Sequence, residues 1–222
     1  YLKMDELNLQ ILKQNFSEDW IDKLHKQYHD IVSRHKSLHP DWNTNYFDSP
    51  AGWCDRNNCN VKKEITEYFN ELLHYPNIFI LHHILNNFDE FKNLNFMDYG
   101  SGFGLLSIFL KRIGINCYNL DDFSQLKDDF ELDGDIFYKN YQVDIPKKKL
   151  PTEKVDVVVT SSIFFMDEGF LEKKFKYLML DSFYIHKGKK QGFIDLNLIN
   201  DNNYELIKSY KGLNIYKNKL GE

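Results

Sequence analysis

A doubly wound α/β sheet behind a helical N-terminal region is the fold class this sequence predicts, on three observations. Asn95 to Gly104 reads as a short buried strand that enters a glycine-rich turn and continues directly into a helix. From Asn95 onwards strand and helix patterns alternate, as a doubly wound sheet requires. Before about Phe91 the apolar residues recur at helical spacing instead. At 222 residues the chain is long enough for one α/β domain plus an extension and too short for two ordinary domains. The expected division is a helical cap or lid over 1–91 and a core over 92–222.

The helical region opens clearly at Ser17, a fitting N-cap followed by Glu18 and Asp19, with Phe16 placed to staple against Ile21. Trp20, Ile21, Leu24, Tyr28, Ile31 and Val32 then form one apolar stripe. Between Ser37 and Asn60 stand Pro40, Pro50 and Gly52, together with Trp42, Tyr46, Phe47 and Trp53. A loop of that length is ordinarily functional or disordered, and four large aromatics argue against disorder. A helix from near Asn60 puts Ile65, Tyr68, Phe69, Leu72 and Leu73 on one face and breaks near Pro76. Ile78 to Leu85 makes the next helix, with His82 and His83 inside its apolar run.

In the core, the first strand is Asn95 to Tyr99. Glycines at 100, 102 and 104 permit positive φ and remove a Cβ from the path of a ligand. Leu105 to Leu110 carries the following helix, and Gly114 sits at its stop. The second strand, Asn116 to Asp121, ends in Asp121 and Asp122. A carboxylate at such a tip is suited to accept the two hydroxyls of a ribose. Asp135 to Val143 is the candidate third strand, ending near Asp144. Val155 to Thr160 is a continuous β-branched run, as in a central strand buried on both faces. A helix is expected over 168–180, a strand over 192–198, and a terminal hairpin from Tyr204 to Lys217 turning at Lys211-Gly212. Loop, helix and acid together describe a nucleoside-binding βαβ unit.

The dinucleotide fingerprint Gly-x-Gly-x-x-Gly fails here, because the third glycine comes one residue early and Leu105 takes its place. Asp98 also stands two residues before the first glycine. Asp98-Tyr-Gly-Ser-Gly-Phe-Gly104 resembles motif I of the class I S-adenosylmethionine-dependent methyltransferases, and the resemblance runs from Asn95 to the C-terminus. It implies a seven-stranded Rossmann-like sheet with an antiparallel last strand, which the terminal hairpin fits. S-adenosyl-L-methionine is the implied cofactor, held by Asp98, Gly100, Ser101, Gly102, Gly104, Asp121, Asp122, Asp144 and Thr160. In the family pattern the acid matched by Asp98 helps hold the methionine amino group. Asp121 matches the acid on the ribose, and Asp144 loosely matches the one on the adenine amino group.

The acceptor is less defined. Thr160-Ser-Ser-Ile-Phe-Phe165 lies at the carboxyl end of the fourth strand, where open α/β folds bind ligands. The Asn/Asp-Pro-Pro-Tyr/Phe and Pro-Cys signatures of nucleic-acid-methylating relatives are absent from it. A net charge of -5 lacks the basic footprint of a general nucleic-acid binder. The expected reaction is O- or N-methylation of a small-molecule or sugar-containing acceptor, such as a glycan precursor, because the aromatic N-terminal region can build an enclosed pocket; protein and RNA acceptors stay open. Ser161, Ser162 and His39 are the candidate catalytic groups, and Trp42, Tyr46, Trp53 and Phe164 the candidate pocket walls. Two other classes stay open: an NAD(P)-dependent oxidoreductase and a non-catalytic partner subunit of methyltransferase fold. The early glycine, Asp98 and the hairpin disfavour the first, and intact cofactor-contact positions disfavour the second.

Hydrophobic residues at 42% and aromatics at 16% support a sizeable core. Three cysteines give no paired framework, and with no signal peptide or long apolar span a reducing cytoplasm without membrane contact is expected. Cys54-x4-Cys59 with His39 lacks a fourth ligand and a standard spacing, so ordinary thiols and no metal site are expected. His25 and His29 have the i,i+4 spacing of a ligand pair but no His-Glu-x-x-His, and are read as partly exposed.

Overall fold

The structure, a computed structural model, describes residues 9–38, 40, 69, 72–73, 75–101, 104–121, 140–142, 154–160, 174–182, 185–188, 194–210 and 212–220. Their helices are α1 (Leu9–Asn15), α2 (Glu18–Leu38), α3 (Tyr75–Asn86), α4 (Phe88–Phe91), α5 (Leu105–Arg112) and α6 (Leu196–Asp201). The strands are β1 (Phe96–Tyr99), β2 (Cys117–Asp121), β3 (Asn140–Gln142), β4 (Val157–Thr160) and β5 (Tyr177–Asp181), then β6 (Ile185–His186), β7 (Ile194–Asp195), β8 (Tyr204–Tyr210) and β9 (Leu213–Asn218).

Seven strands make one sheet in the order β3-β2-β1-β4-β5-β9-β8. β3, β2, β1, β4 and β5 run parallel, and β9 pairs antiparallel with both β5 and β8. The hairpin expected at the C-terminal end of the chain is thus the β8–β9 pair, turning at Gly212, which takes φ 87. β6 and β7 form a separate two-stranded parallel ribbon.

Alternation along the strands divides the core in two. Phe96, Val157, Val159, Tyr177, Met179, Leu213 and Ile215 face α1, α2, α3 and α5 in one apolar cluster. Met97, Tyr99, Leu120, Val158, Leu178, Leu180 and Tyr216 face Ile194 and Ile199 in the other. Strands buried on both faces read as continuous apolar runs, which is why β4 was legible in the sequence.

The N-terminal helices belong to the first of these clusters. Phe16 is fully buried and meets Phe109 of α5 edge-on at 5.0 Å, while Trp20 meets the same ring at 5.1 Å. Arg112 covers the outer face of Trp20 at 5.6 Å. Ile21, Leu24 and Tyr28 of the expected stripe are buried. Phe16 is therefore a core anchor between α2 and α5 as well as a neighbour of the helix start.

Two expectations about elements need correction. Tyr177 to Leu180, assigned to a helix over 168–180, is β5. Leu and Met favour helix locally, but every residue of this run is buried between β4 and β9, and sheet pairing overrides the propensity. Of the strand expected over 192–198, residues 192 and 193 lie outside the described residues, Ile194–Asp195 is β7, and the chain turns helical from Leu196, because Asp195 caps α6 by accepting from Asn197 N at 2.9 Å. The helix boundary expected near Pro76 is the start of α3, and Pro76 lies in its first turn, where a missing N–H costs no intrahelical bond.

Candidate functional site

The site is built at the carboxyl edge of β1 and β2. Phe96 and Asp98 share the face toward α3 and α5, and Asp98 is only 2% exposed. After Tyr99 the chain turns through Gly100, whose φ is 77, and both Gly100 N and Ser101 N donate to Leu120 O, at 2.7 and 3.2 Å. The turn is thereby tied to the last residues of β2. Gly104 N then donates to Ser101 O at 2.9 Å, and Gly104, at φ 73, is the N-cap residue of α5. Ser107 Oγ donates back to Gly104 O at 2.8 Å. The first N–H groups of α5 point out of this turn, as at any helix start.

The two glycines differ in what they permit. Around Gly100 an added Cβ would meet nothing within 4 Å among the described residues, so toward them this residue answers to backbone conformation alone. At Gly104 an added Cβ would stand 2.3 Å from Asn119 Nδ2 and 2.8 Å from its Cγ. The space expected to serve a ligand at 104 is filled by a side chain from β2.

Asn119 was missed in the sequence, where it reads as one polar residue within a strand. It lies directly beside Asp98 in the parallel register, is 1% exposed, and neither its Oδ1 nor its Nδ2 has a hydrogen-bond partner among the described residues. Ser101 Oγ is likewise buried without a partner among those residues. A buried amide with both ends unpaired is costly in a finished fold, and such groups mark places where a ligand or water completes the bonding.

Cys117 lies on the same face of β2 and is buried. Burial first, and then the charge of Asp98, push its thiol well above the ordinary range, so it stays protonated.

Of the other expected site residues, Asp121 closes β2 and Thr160 closes β4, the latter 1% exposed. Gly102, Asp122 and Asp144 lie outside the described residues. So do the candidate acceptor residues His39, Trp42, Tyr46, Trp53, Ser161, Ser162 and Phe164, and the cysteines Cys54 and Cys59. The sequence reading also missed Asp181, which is fully buried at the carboxyl end of β5 on the face shared by Met179 and Leu213.

The histidines separate as expected. His83 Nδ1 lies 3.1 Å from Tyr210 Oη and His82 Nε2 lies 2.9 Å from Asn86 Nδ2, both inside the fold and away from the glycine turn. His25 Nε2 and His29 Nε2 are 2.9 Å apart on the outer part of α2. Among the described residues no group of three His, Cys, Asp or Glu side chains comes together as a metal site, and no helix is long and apolar enough to cross a membrane.

Fold and site define an open α/β sheet with a glycine turn over a buried acid at the carboxyl ends of its first two strands. No family model matches the chain, and no curated protein does. Among solved structures it is similar to magnesium protoporphyrin IX methyltransferase (ChlM) from Synechocystis with bound SAH, at 13% identity and a TM-score of 0.44, covering 63% of this chain and 80% of that one. It is also similar to a 16S rRNA methyltransferase (RsmC) of T. thermophilus in complex with AdoMet and guanosine, at 11% identity and TM-score 0.41, covering 66% and 44%. Human N-acetylserotonin methyltransferase (ASMT) in complex with SAM is a third, at 11% identity and TM-score 0.39, covering 75% and 62%.

Proposed function

We propose that the protein is an S-adenosylmethionine-dependent methyltransferase acting on an oxygen or nitrogen of a small-molecule or sugar-containing acceptor. The observation that carries this reading is Asp98, a buried carboxylate at the foot of a turn with two positive-φ glycines, next to the strand that Asp121 closes. A nucleotide with a pyrophosphate calls for an anion nest at such a turn. A cofactor with a cationic amino-acid head calls for an acid, and Asp98 is that acid. The amide of Asn119 and the hydroxyl of Ser101, without partners among the described residues, fit the same need, since a polar head group would complete them.

In this reading Asp98 would accept the cofactor's ammonium, the glycines of the turn would leave room for it, and Asp121 would accept the ribose hydroxyls. Asp122, Asp144 and Thr160 complete the cofactor contacts. When bound, S-adenosylmethionine supplies a methyl group already activated by its sulfonium charge, and transfer leaves S-adenosylhomocysteine and a proton. The chain's own contribution is alignment: it fixes the acceptor in line and excludes water, which proximity makes large. In the same reading the aromatic loop with Trp42, Tyr46 and Trp53, together with Phe164, would wall the acceptor, His39 would take up its proton, and Ser161 or Ser162 would position its polar group.

Calorimetry with S-adenosylhomocysteine and with NAD tests the reading. One-to-one binding of S-adenosylhomocysteine with weak or no NAD binding is expected, and tighter binding of NAD overturns it. Turnover of a labelled methyl donor against a panel of hydroxyl and amine metabolites then identifies the acceptor.

A further inference from the structure

We infer that Asn119 reads the amino-acid end of the cofactor, making β2 a source of head-group contacts as well as of the ribose acid. The inference rests on the methyltransferase reading and adds to it a residue that the motif does not contain.

Three observations carry it. Both ends of the Asn119 amide are unpaired among the described residues although the side chain is only 1% exposed. The amide is seated against Gly104, where no other residue could stand without striking it, so its position is fixed by packing. It also shares a face and a register position with Asp98. A primary amide offers one acceptor and two donors, and its complement must supply both a donor and an acceptor. A zwitterionic amino-acid head does so, with an ammonium for Oδ1 and a carboxylate for Nδ2. A ribose or an adenine edge also carries both kinds of group, but Asp121 lies two residues further along β2 for the ribose. The neighbour of Asn119 is Asp98, a group of the charge that an ammonium requires.

The physical signature is a trade between stability and binding. Removing an orphaned amide from a buried site relieves an unmet hydrogen-bonding cost, whereas removing a ligand contact weakens the complex. Binding of S-adenosylhomocysteine and of 5′-methylthioadenosine, which lacks the amino-acid head, is measured by calorimetry on the wild type, Asn119→Ala and Asn119→Ser. Thermal unfolding is followed without ligand. The expected result is that Asn119→Ala melts at or above the wild-type temperature, binds S-adenosylhomocysteine at least tenfold more weakly, and binds 5′-methylthioadenosine as before. Asn119→Ser, which keeps one donor and one acceptor, falls between and serves alone if the alanine variant does not fold. Equal weakening toward both ligands overturns the inference in favour of a residue that only shapes the turn. Unchanged affinity for both overturns it in favour of an amide completed by buried water. A wild type that binds neither ligand overturns the methyltransferase reading itself, a result distinct from either.

Discussion

Nδ1 of His83 and Oη of Tyr210 lie 3.1 Å apart in the packed seam between α3 and β8. The ring of Phe79 stacks on Tyr210 at 5.3 Å, and Phe91 meets His83 edge-on, so the pair is enclosed by aromatic surface. Desolvation by this burial lowers the His83 pKa from 6.5 to about 4, against a smaller upward pull from Glu90 and with smaller downward contributions from Lys208 and His82.

Acid should therefore destabilise the protein through this residue. The folded-state pKa lies below the unfolded one, so between about 6.5 and about 4 the unfolded chain takes up a proton that the folded chain does not. Stability from this group is complete above the upper value and is lost as pH falls through the window. Between pH 7.5 and pH 5 the loss amounts to about 2 kcal/mol. Urea unfolding of the wild type and of His83→Phe at the two pH values measures it. The variant starts lower, having lost the contact between His83 Nδ1 and Tyr210 Oη, but its curve should be flatter by that amount. Parallel curves would rule out His83 as the titrating group.

The two glycines of the turn should respond differently to alanine. Gly100→Ala meets none of the described residues, so its left-handed backbone is what resists, at about 1–2 kcal/mol. Gly104→Ala carries the same backbone cost and adds the collision with Asn119 Nδ2 at 2.3 Å. It should be the more destabilising by about 1–3 kcal/mol, the scale of overpacking. Adding Asn119→Ala to Gly104→Ala should recover that excess and leave the backbone part. Additive losses in thermal unfolding of the double variant would show that the two residues are uncoupled.

Asp98→Asn keeps the shape of the side chain and removes its charge. Affinity for S-adenosylhomocysteine should fall by about 1.5–3 kcal/mol, the scale of a hydrogen bond to a charged group. Titration calorimetry checks it, with 5′-methylthioadenosine as the ligand expected to lose little.

The helices α1 and α2 should melt together with the sheet. Phe16 is fully buried against Phe109, and Phe16→Ala should cost about 3–5 kcal/mol and lower a single unfolding transition. Two separated transitions by circular dichroism, only one of them shifted, would instead make the N-terminal region an independent unit.

The β1–α5–β2 unit was legible in the sequence because each of its signals is local. Strand β1, the glycines, the helix start at Leu105 and the acid that closes β2 follow one another within a few residues, and each has a backbone or charge requirement that few residue types meet. The β-branched run of β4 and the hairpin of β8 and β9 are local in the same sense. What tertiary structure alone decided depends on distant partners. Tyr177–Asp181 became a strand because β4 and β9 enclose it, although its leucines and methionine favour a helix. Phe16 became a core anchor because α5, some ninety residues later, presents Phe109 to it. Asn119 and Gly104 read separately as a strand polar residue and a turn glycine. Only the parallel pairing of β1 with β2 brings the amide into the space that the glycine leaves, since side-chain contact across strands is set by register and not by neighbourhood in sequence.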